Sequence, residues 1–322
     1  MASLLTIDAL NVEFATRAGP VRVLRDVGFE VAAGETLALV GESGCGKSMT
    51  ALSIMGLLPQ PNGRVLSGSI RIEGEELVGA DAATLTRIRG DKISMIFQEP
   101  MTALNPVFTV GDQIAEVLRI HRGLDRREAM RRAQEAMAAV DIPDPQRRVR
   151  QYPHELSGGM RQRIMIAMAI ACEPLLLIAD EPTTALDVTV QAQIFDLLKN
   201  LQARTGMALI LITHDMGAVA EMADRAIVMY AGRAVESAQV NILLRAPLHP
   251  YTRGLIGCIP DIDAADPDAP LTEIPGMVPA LSSLGAGCAF AERCALADAA
   301  CMARDPAMTE QASDHLVACW KA

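Results

Sequence analysis

Residues Gly41 to Ser48 read GESGCGKS, a match without deviation to G-x-x-x-x-G-K-[ST]. The apolar run ETLALV (35–40) precedes the match, and Ser48 to Leu58 follow with helical spacing, so the segment reads strand, glycine loop, helix. Gly41, Gly44 and Gly46 let successive backbone N–H groups turn inward on an anion, and the start of the helix adds a partial positive charge. Ser43, Cys45 and Met49 belong to the same nucleotide-binding stretch. Lys47 supplies a point charge for the β- and γ-oxygens of a nucleoside triphosphate such as ATP, and the Ser48 hydroxyl is a hard oxygen ligand for Mg²⁺.

The remaining elements suit an α/β chain. Residues 4–14 and 22–31 alternate apolar and polar positions, as antiparallel strands with one solvated face do. A short polar helix is expected at 81–90 and a buried strand at KISMIF (92–97). From Val110 to about Gln151 helical spacing with dense Arg predicts an inserted helical subdomain. An apolar helix (160–172), the strand LLLIA (175–179), a helix (188–203) and the strand ALILIT (208–213) then alternate, which implies parallel strands with crossover connections. Beyond Arg245 the prolines 247, 250, 260, 267, 270, 275 and 279 break the pattern and predict a separate, irregular C-terminal module.

Composition excludes several alternatives. The 322 residues allow about two domains at roughly 150 residues each. Hydrophobic residues make up 50% of the chain but aromatics only 3%, so the core must be built from Ala, Leu, Ile, Val and Met. A net charge of −10 disfavours nonspecific binding to nucleic acid or anionic lipid. The Arg-rich stretch 126–150 carries Asp and Glu among its arginines and no interleaved aromatics before Tyr152, so a solvated helix face accounts for it. The apolar stretch Ile164–Cys172 is about half of the roughly 20 residues a membrane-spanning helix needs. MASLLTIDALNVEF lacks a basic opening, so no secretory signal is expected there and the chain is placed in the cytoplasm, where thiols stay reduced.

Asp180 and Glu181 follow a buried strand, at the end where open α/β sheets bind ligands. Asp180 is placed to hold the Mg²⁺ hydration shell and Glu181 to orient the attacking water. Leu156-Ser157-Gly158-Gly159-Met160-Arg161-Gln162 opens a helix with Ser and two glycines, a second anion-binding terminus.

With these three motifs in order, the sequence resembles the ATP-binding cassette (ABC) family over residues 4 to about 240. The family's LSGGQ signature departs here at Met160, with Gln at position 162. The resemblance implies that Ser157, Gly158 and Gly159 complete, in trans, an ATP site of a second cassette. It implies that Gln98 senses Mg²⁺ and the attacking water, that the Thr184–Asp187 loop crosses the dimer interface, and that His214 contacts the γ-phosphate. An entry-sheet aromatic should stack on adenine; Phe14 is the candidate, with a place in the core as its alternative. The implied fold is a P-loop ABC ATPase, a parallel sheet with an antiparallel β subdomain, a helical subdomain at about 99–158 and a small irregular C-terminal module. The nucleotide-binding domain is expected over 1–245 and the module over 246–322.

PLHPYT (247–252), IPG (274–276), GESGCGKS and FQEPMTALNP are similar to the oligopeptide/dipeptide importer ATPases. That resemblance implies ATP hydrolysis coupled to peptide uptake, with a second ATPase subunit, two membrane permease subunits and an external solute-binding protein, at the cytoplasmic face of the inner membrane. ATPases for nickel or glutathione are similar, and soluble cassettes acting on DNA or ribosomes share the core motifs. Four cysteines near the end, Cys288, Cys294, Cys301 and Cys319, are spaced C-x5-C-x6-C-x17-C, without C-x2-C knuckles. The peptide-importer resemblance implies a [4Fe–4S] cluster on these four; zinc and free or oxidised thiols remain alternatives.

Overall fold

The structure is a computed structural model that describes residues 3–98, 103–184, 186–259 and 273–322. Part of FQEPMTALNP, Ala185 and the prolines 260, 267 and 270 lie outside the described residues. The chain divides into two compact units, one of Ala32–Glu35 with Gly79–Ile212, the other of Ser3–Val31, Thr36–Val78 and Thr213–Ala322.

In the first unit the strand Leu176–Asp180 pairs in parallel with Ile93–Ile96, Ile93 opposite Leu176. On its other side it pairs in parallel with Ala208–Thr213, Leu176 opposite Ala208. Every residue of these strands is buried, which is why they read as unbroken apolar runs rather than as alternation. The expected helical insertion forms as Val110–Arg122, Arg126–Ala139 and Pro145–Arg148. Thr109 and Asp125 cap the first two by accepting from the N–H groups of Asp112 and Glu128. Gly111 is required there, because a Cβ would lie 2.2 Å from Val149 Cγ2. The arginines of the second helix meet acids one turn away: Arg131 pairs with Glu128 and Glu135, and Arg132 lies 3.6 Å from Glu128.

In the second unit Gly19–Ala32, Ser3–Thr16, Gly63–Ile72 and Glu75–Glu76 form a four-stranded sheet in that order. The phosphate-loop strand Thr36–Val40 pairs in parallel with Arg225–Tyr230, Leu37 opposite Arg225. Arg225–Tyr230 turns back into Arg233–Gln239 through Ala231 and Gly232, both at positive φ (46° and 81°), the backbone a two-residue hairpin requires. Sequence pattern alone did not predict this hairpin.

The C-terminal stretch is more regular than its prolines suggest. Pro250 begins a helix, Pro250–Gly257, capped by His249, whose Nδ1 accepts from the Tyr251 N–H at 3.0 Å. Burial pushes the His249 imidazole down to about 4 against opposing attraction from Glu236, so the ring stays neutral and able to accept. A second hairpin, Thr309–Ala312 and His315–Val317, extends the strand Arg233–Gln239, with Glu236 opposite Val317. These strands are too short, and Thr309–Ala312 too exposed, to leave an alternating apolar signature. At the junction Glu236, fully buried, accepts from the N–H groups of Leu248 (2.7 Å) and His249 (2.9 Å) and meets His315 Nε2 at 2.7 Å.

No helix among the described residues is long and apolar enough to cross a membrane. Glu236→Ala would orphan three polar partners, the His249 N–H and His315 ring being buried and the Leu248 N–H partly so, and each unsatisfied buried group costs about 1–3 kcal/mol. We expect a total destabilisation of about 3–5 kcal/mol, read as a lower melting temperature, with an exposed-site control such as Glu310→Ala unchanged.

Candidate functional site

Around the glycine loop the backbone is pinned at both ends. Gly41 sits at φ 153°, and a Cβ there would lie 2.3 Å from the Met229 carbonyl oxygen. Gly46, at φ 108°, would drive a Cβ to 2.7 Å from Leu24 Cδ2. Neither position accepts a side chain. Between them the Cys45 N–H donates to the Glu42 carbonyl (3.3 Å), and the Gly232 N–H donates to the Cys45 carbonyl (2.9 Å). Lys47 is buried, and its ammonium donates to the carbonyls of Gly41 (2.7 Å) and Glu42 (3.1 Å). That places one positive charge inside the loop's curl. The helix Lys47–Ile54, which carries Ser48 and Met49, has no side-chain cap and no acid in its first turn, the arrangement that suits an anion. Gly44 is likewise left-handed at φ 79°, beside Ser43.

The carboxylates of the first unit are set by strand ends. Asp180 closes the strand Leu176–Asp180 and is 5% exposed. Glu181 leaves it at φ 46°, an uncommon conformation for a residue with a side chain, and its N–H donates to the Ile212 carbonyl at 2.9 Å. One oxygen of the Glu181 carboxylate accepts from both Gln98 Nε2 and the Thr184 hydroxyl, each at 2.9 Å. The sequence reading assigned Gln98 and Glu181 separately; the structure brings them into contact and adds Thr184.

Ser157 caps the helix Gly158–Ile170, its Oγ accepting from the Met160 N–H, so this helix begins earlier than its apolar run indicated. Gly158 and Gly159 form its first turn, and a Cβ at Gly159 would press on Val190. Gln162 is buried and donates to the Pro182 carbonyl at 2.5 Å, tying the signature helix to the turn after Glu181. The polar residue displaced to position 162 is thus a positioning group. Asp187 caps the helix Val188–Thr205 by accepting from the Val190 N–H at 2.9 Å. His214 follows the strand Ala208–Thr213 and is exposed. Phe14 lies two residues before the end of the strand Ser3–Thr16, opposite Gly63, where a Cβ would lie 2.8 Å from the Phe14 ring.

The four C-terminal cysteines line one small cavity of about 20 Å³, with His249, Phe290 and Trp320 among its walls. None is in a disulfide. Burial pushes the Cys288 thiol up to about 11, with Asp305, Cys301 and Cys319 adding repulsion. Their donor chemistry fits a soft metal group. Even so, among the described residues no three His, Cys, Asp or Glu side chains are arranged as a metal site, so the ligation expected for a cluster is not formed. In the second unit the Ser48 hydroxyl, and in the first the buried Asp180 carboxylate, are each a hard oxygen donor of the kind Mg²⁺ takes.

Two further residues were not legible. Arg293 and Tyr251 both bond Glu42, the second residue of the glycine loop.

Residues 24–184 match the family described as ABC transporter, and residues 235–301 match the oligopeptide/dipeptide transporter C-terminal region. A peptide import ATP-binding protein of Brucella melitensis is 53% identical over 97% of this chain and 95% of its own length. A peptide ABC transporter ATP-binding protein of Sinorhizobium fredii is 50% identical over 99% of this chain and 95% of its own. Among solved structures, a dimeric ATP-binding cassette in a post-hydrolysis state with ADP and phosphate aligns at TM-score 0.66 and 28% identity, covering 73% of this chain and 98% of that one. Gly41→Ala should weaken MgATP binding by about tenfold or more, since strain of about 1–3 kcal/mol falls on the loop itself. Calorimetric titration checks this, and a folded variant that binds like the wild type would refute the loop's assignment.

Proposed function

This chain belongs to the ABC transporter family and carries the oligopeptide/dipeptide transporter C-terminal region, and from that premise we propose that it is the ATP-hydrolysing subunit of an importer taking up di- and oligopeptides through separate membrane permease subunits. The carrying observation is the Glu181 carboxylate, fixed by Gln98 and Thr184 immediately after a buried strand. A carboxylate held in one orientation at a strand end is what aligning a water for phosphoryl transfer requires.

Each residue has a role. The N–H groups of residues 41–49 cradle the phosphates, and Lys47 turns its ammonium from the loop carbonyls to the β- and γ-oxygens. Ser48, Asp180 and Gln98 would hold Mg²⁺, which neutralises phosphate charge when bound. Glu181 orients the attacking water, and His214 contacts the γ-phosphate. Phe14 stacks on adenine. Ser157, Gly158, Gly159 and the Asp187 loop face the nucleotide of a second, identical or related cassette. ATP binding closes the pair, and hydrolysis with phosphate release reopens it, moving two permease subunits at the cytoplasmic face of the membrane. An external binding protein delivers the solute. Residues 1–245 do this work, and 246–322 form the module that marks the peptide subgroup.

Glu181→Gln should cut ATP turnover by about a hundredfold or more while trapping an ATP-bound dimer. Phosphate release and light scattering check both halves, and wild-type hydrolysis would reject the role. Uptake by the reconstituted importer of labelled dipeptide, nickel or glutathione separates the solutes.

The number, spacing and soft donor chemistry of Cys288, Cys294, Cys301 and Cys319, rather than their arrangement in the structure, favour a [4Fe–4S] cluster, which would supply a structural cross-link. Protein purified without oxygen should carry about four iron and four sulfide per chain and absorb near about 400 nm. Zinc alone, or metal-free thiols, would overturn that assignment.

A further inference from the structure

Glu42 lies inside the phosphate loop, yet most of its contacts reach far along the chain. Its carbonyl accepts from Cys45 and Lys47 and so shapes the curl. Its N–H donates to the Tyr251 hydroxyl at 2.8 Å. Its carboxylate takes a two-point contact from Arg293, Nη1 to Oε2 at 2.7 Å and Nη2 to Oε1 at 3.0 Å. Donor, acceptor and charge of this one residue are all committed.

The two distant partners are themselves rigid. Tyr251 is fully buried on the helix Pro250–Gly257, and its ring meets Tyr230 edge-on at 4.7 Å. The Arg293 side chain is only 4% exposed, against 31% for Glu42. Its guanidinium lies 5.8 Å from the ring centres of both Tyr230 and Phe290 and donates to the carbonyls of Pro275 (2.9 Å) and Ile274 (3.2 Å). A planar cation held this way makes a fixed, charge-assisted anchor.

Charge gives the contact its meaning. A carboxylate within a loop built to bind a polyanion opposes that anion, and a guanidinium paired with it removes the opposition. We propose that Arg293 and Tyr251 of the C-terminal segment are positioning residues for the phosphate loop, Arg293 by anchoring and neutralising Glu42 and Tyr251 by holding its N–H, so that MgATP affinity depends on that segment. This rests on the reading of residues 41–48 as the nucleotide's phosphate cradle.

MgATP binding to the full chain and ATPase kinetics of the assembled importer test it. Arg293→Ala should raise Kd and KM about tenfold with kcat within about twofold of wild type, and added salt should shrink the effect by screening. Glu42→Gln in that background should recover most of the loss, because the opposing charge is then gone. Tyr251→Phe should weaken binding about three- to fivefold. Arg293→Gln, which is neutral but retains hydrogen bonding, should match Arg293→Ala and serves if the latter does not fold. Wild-type affinity in the folded Arg293 variants, or no recovery with Glu42→Gln, would overturn the proposal. A wild-type importer that binds MgATP without turning it over would count against the ATPase reading and leave the affinity comparison decisive; a chain binding no nucleotide overturns both.

Discussion

The curl of residues 41–47 is the constraint on which the rest of the molecule depends. A peptide segment does not aim several N–H groups at one point unless something holds its carbonyls outward and its glycines against neighbours that exclude a side chain. Here the Met229 carbonyl and Leu24 supply the exclusion, Gly232 holds the Cys45 carbonyl, and Lys47 gathers the carbonyls of Gly41 and Glu42. The strand Arg225–Tyr230, its tight hairpin, and the rings of Tyr230 and Tyr251 all serve that geometry. A loop with this much support binds without first having to be ordered.

Several residues that a motif reading treats as chemical are structural as well. Ser157 and Asp187 each cap a helix, so both are held before any partner arrives. Glu181 accepts two hydrogen bonds on one oxygen and sits in a left-handed backbone conformation, a strain that the Ile212 carbonyl contact holds in place. Gln162 shows the reverse. A residue displaced from its family position acts through the Pro182 carbonyl as a brace between the signature helix and the carboxylate turn.

The C-terminal segment carries its own order in an economical way. It adds a hairpin to an existing strand edge, buries Glu236 under two N–H groups and a histidine, and places four thiols around one cavity. The same segment presents Arg293 and Tyr251 to Glu42. Its irregular backbone is thus tied down by these polar contacts and by apolar side chains, Tyr251 and Phe290 foremost, that join the core of the second unit.

Local patterns were readable from the chain alone. The glycine loop, the buried strands at 93–96, 176–180 and 208–213, the helical insertion and the strand-end carboxylates each depend on residues close together in sequence, where periodicity and backbone freedom act directly. The Ala231–Gly232 turn, the short terminal hairpin and the capped helix at Pro250 were not, because short strands and proline-rich text leave weak periodic signals. Least legible were the pairings of Glu42 with Arg293, 251 positions apart, and with Tyr251, 209 apart. Sequence carried the motifs from which this protein's chemistry is read; the tertiary structure alone decided what holds the phosphate loop in place, since a fixed ion pair between residues 251 positions apart exists only once packing has buried the Arg293 side chain and brought the half-exposed Glu42 within its reach.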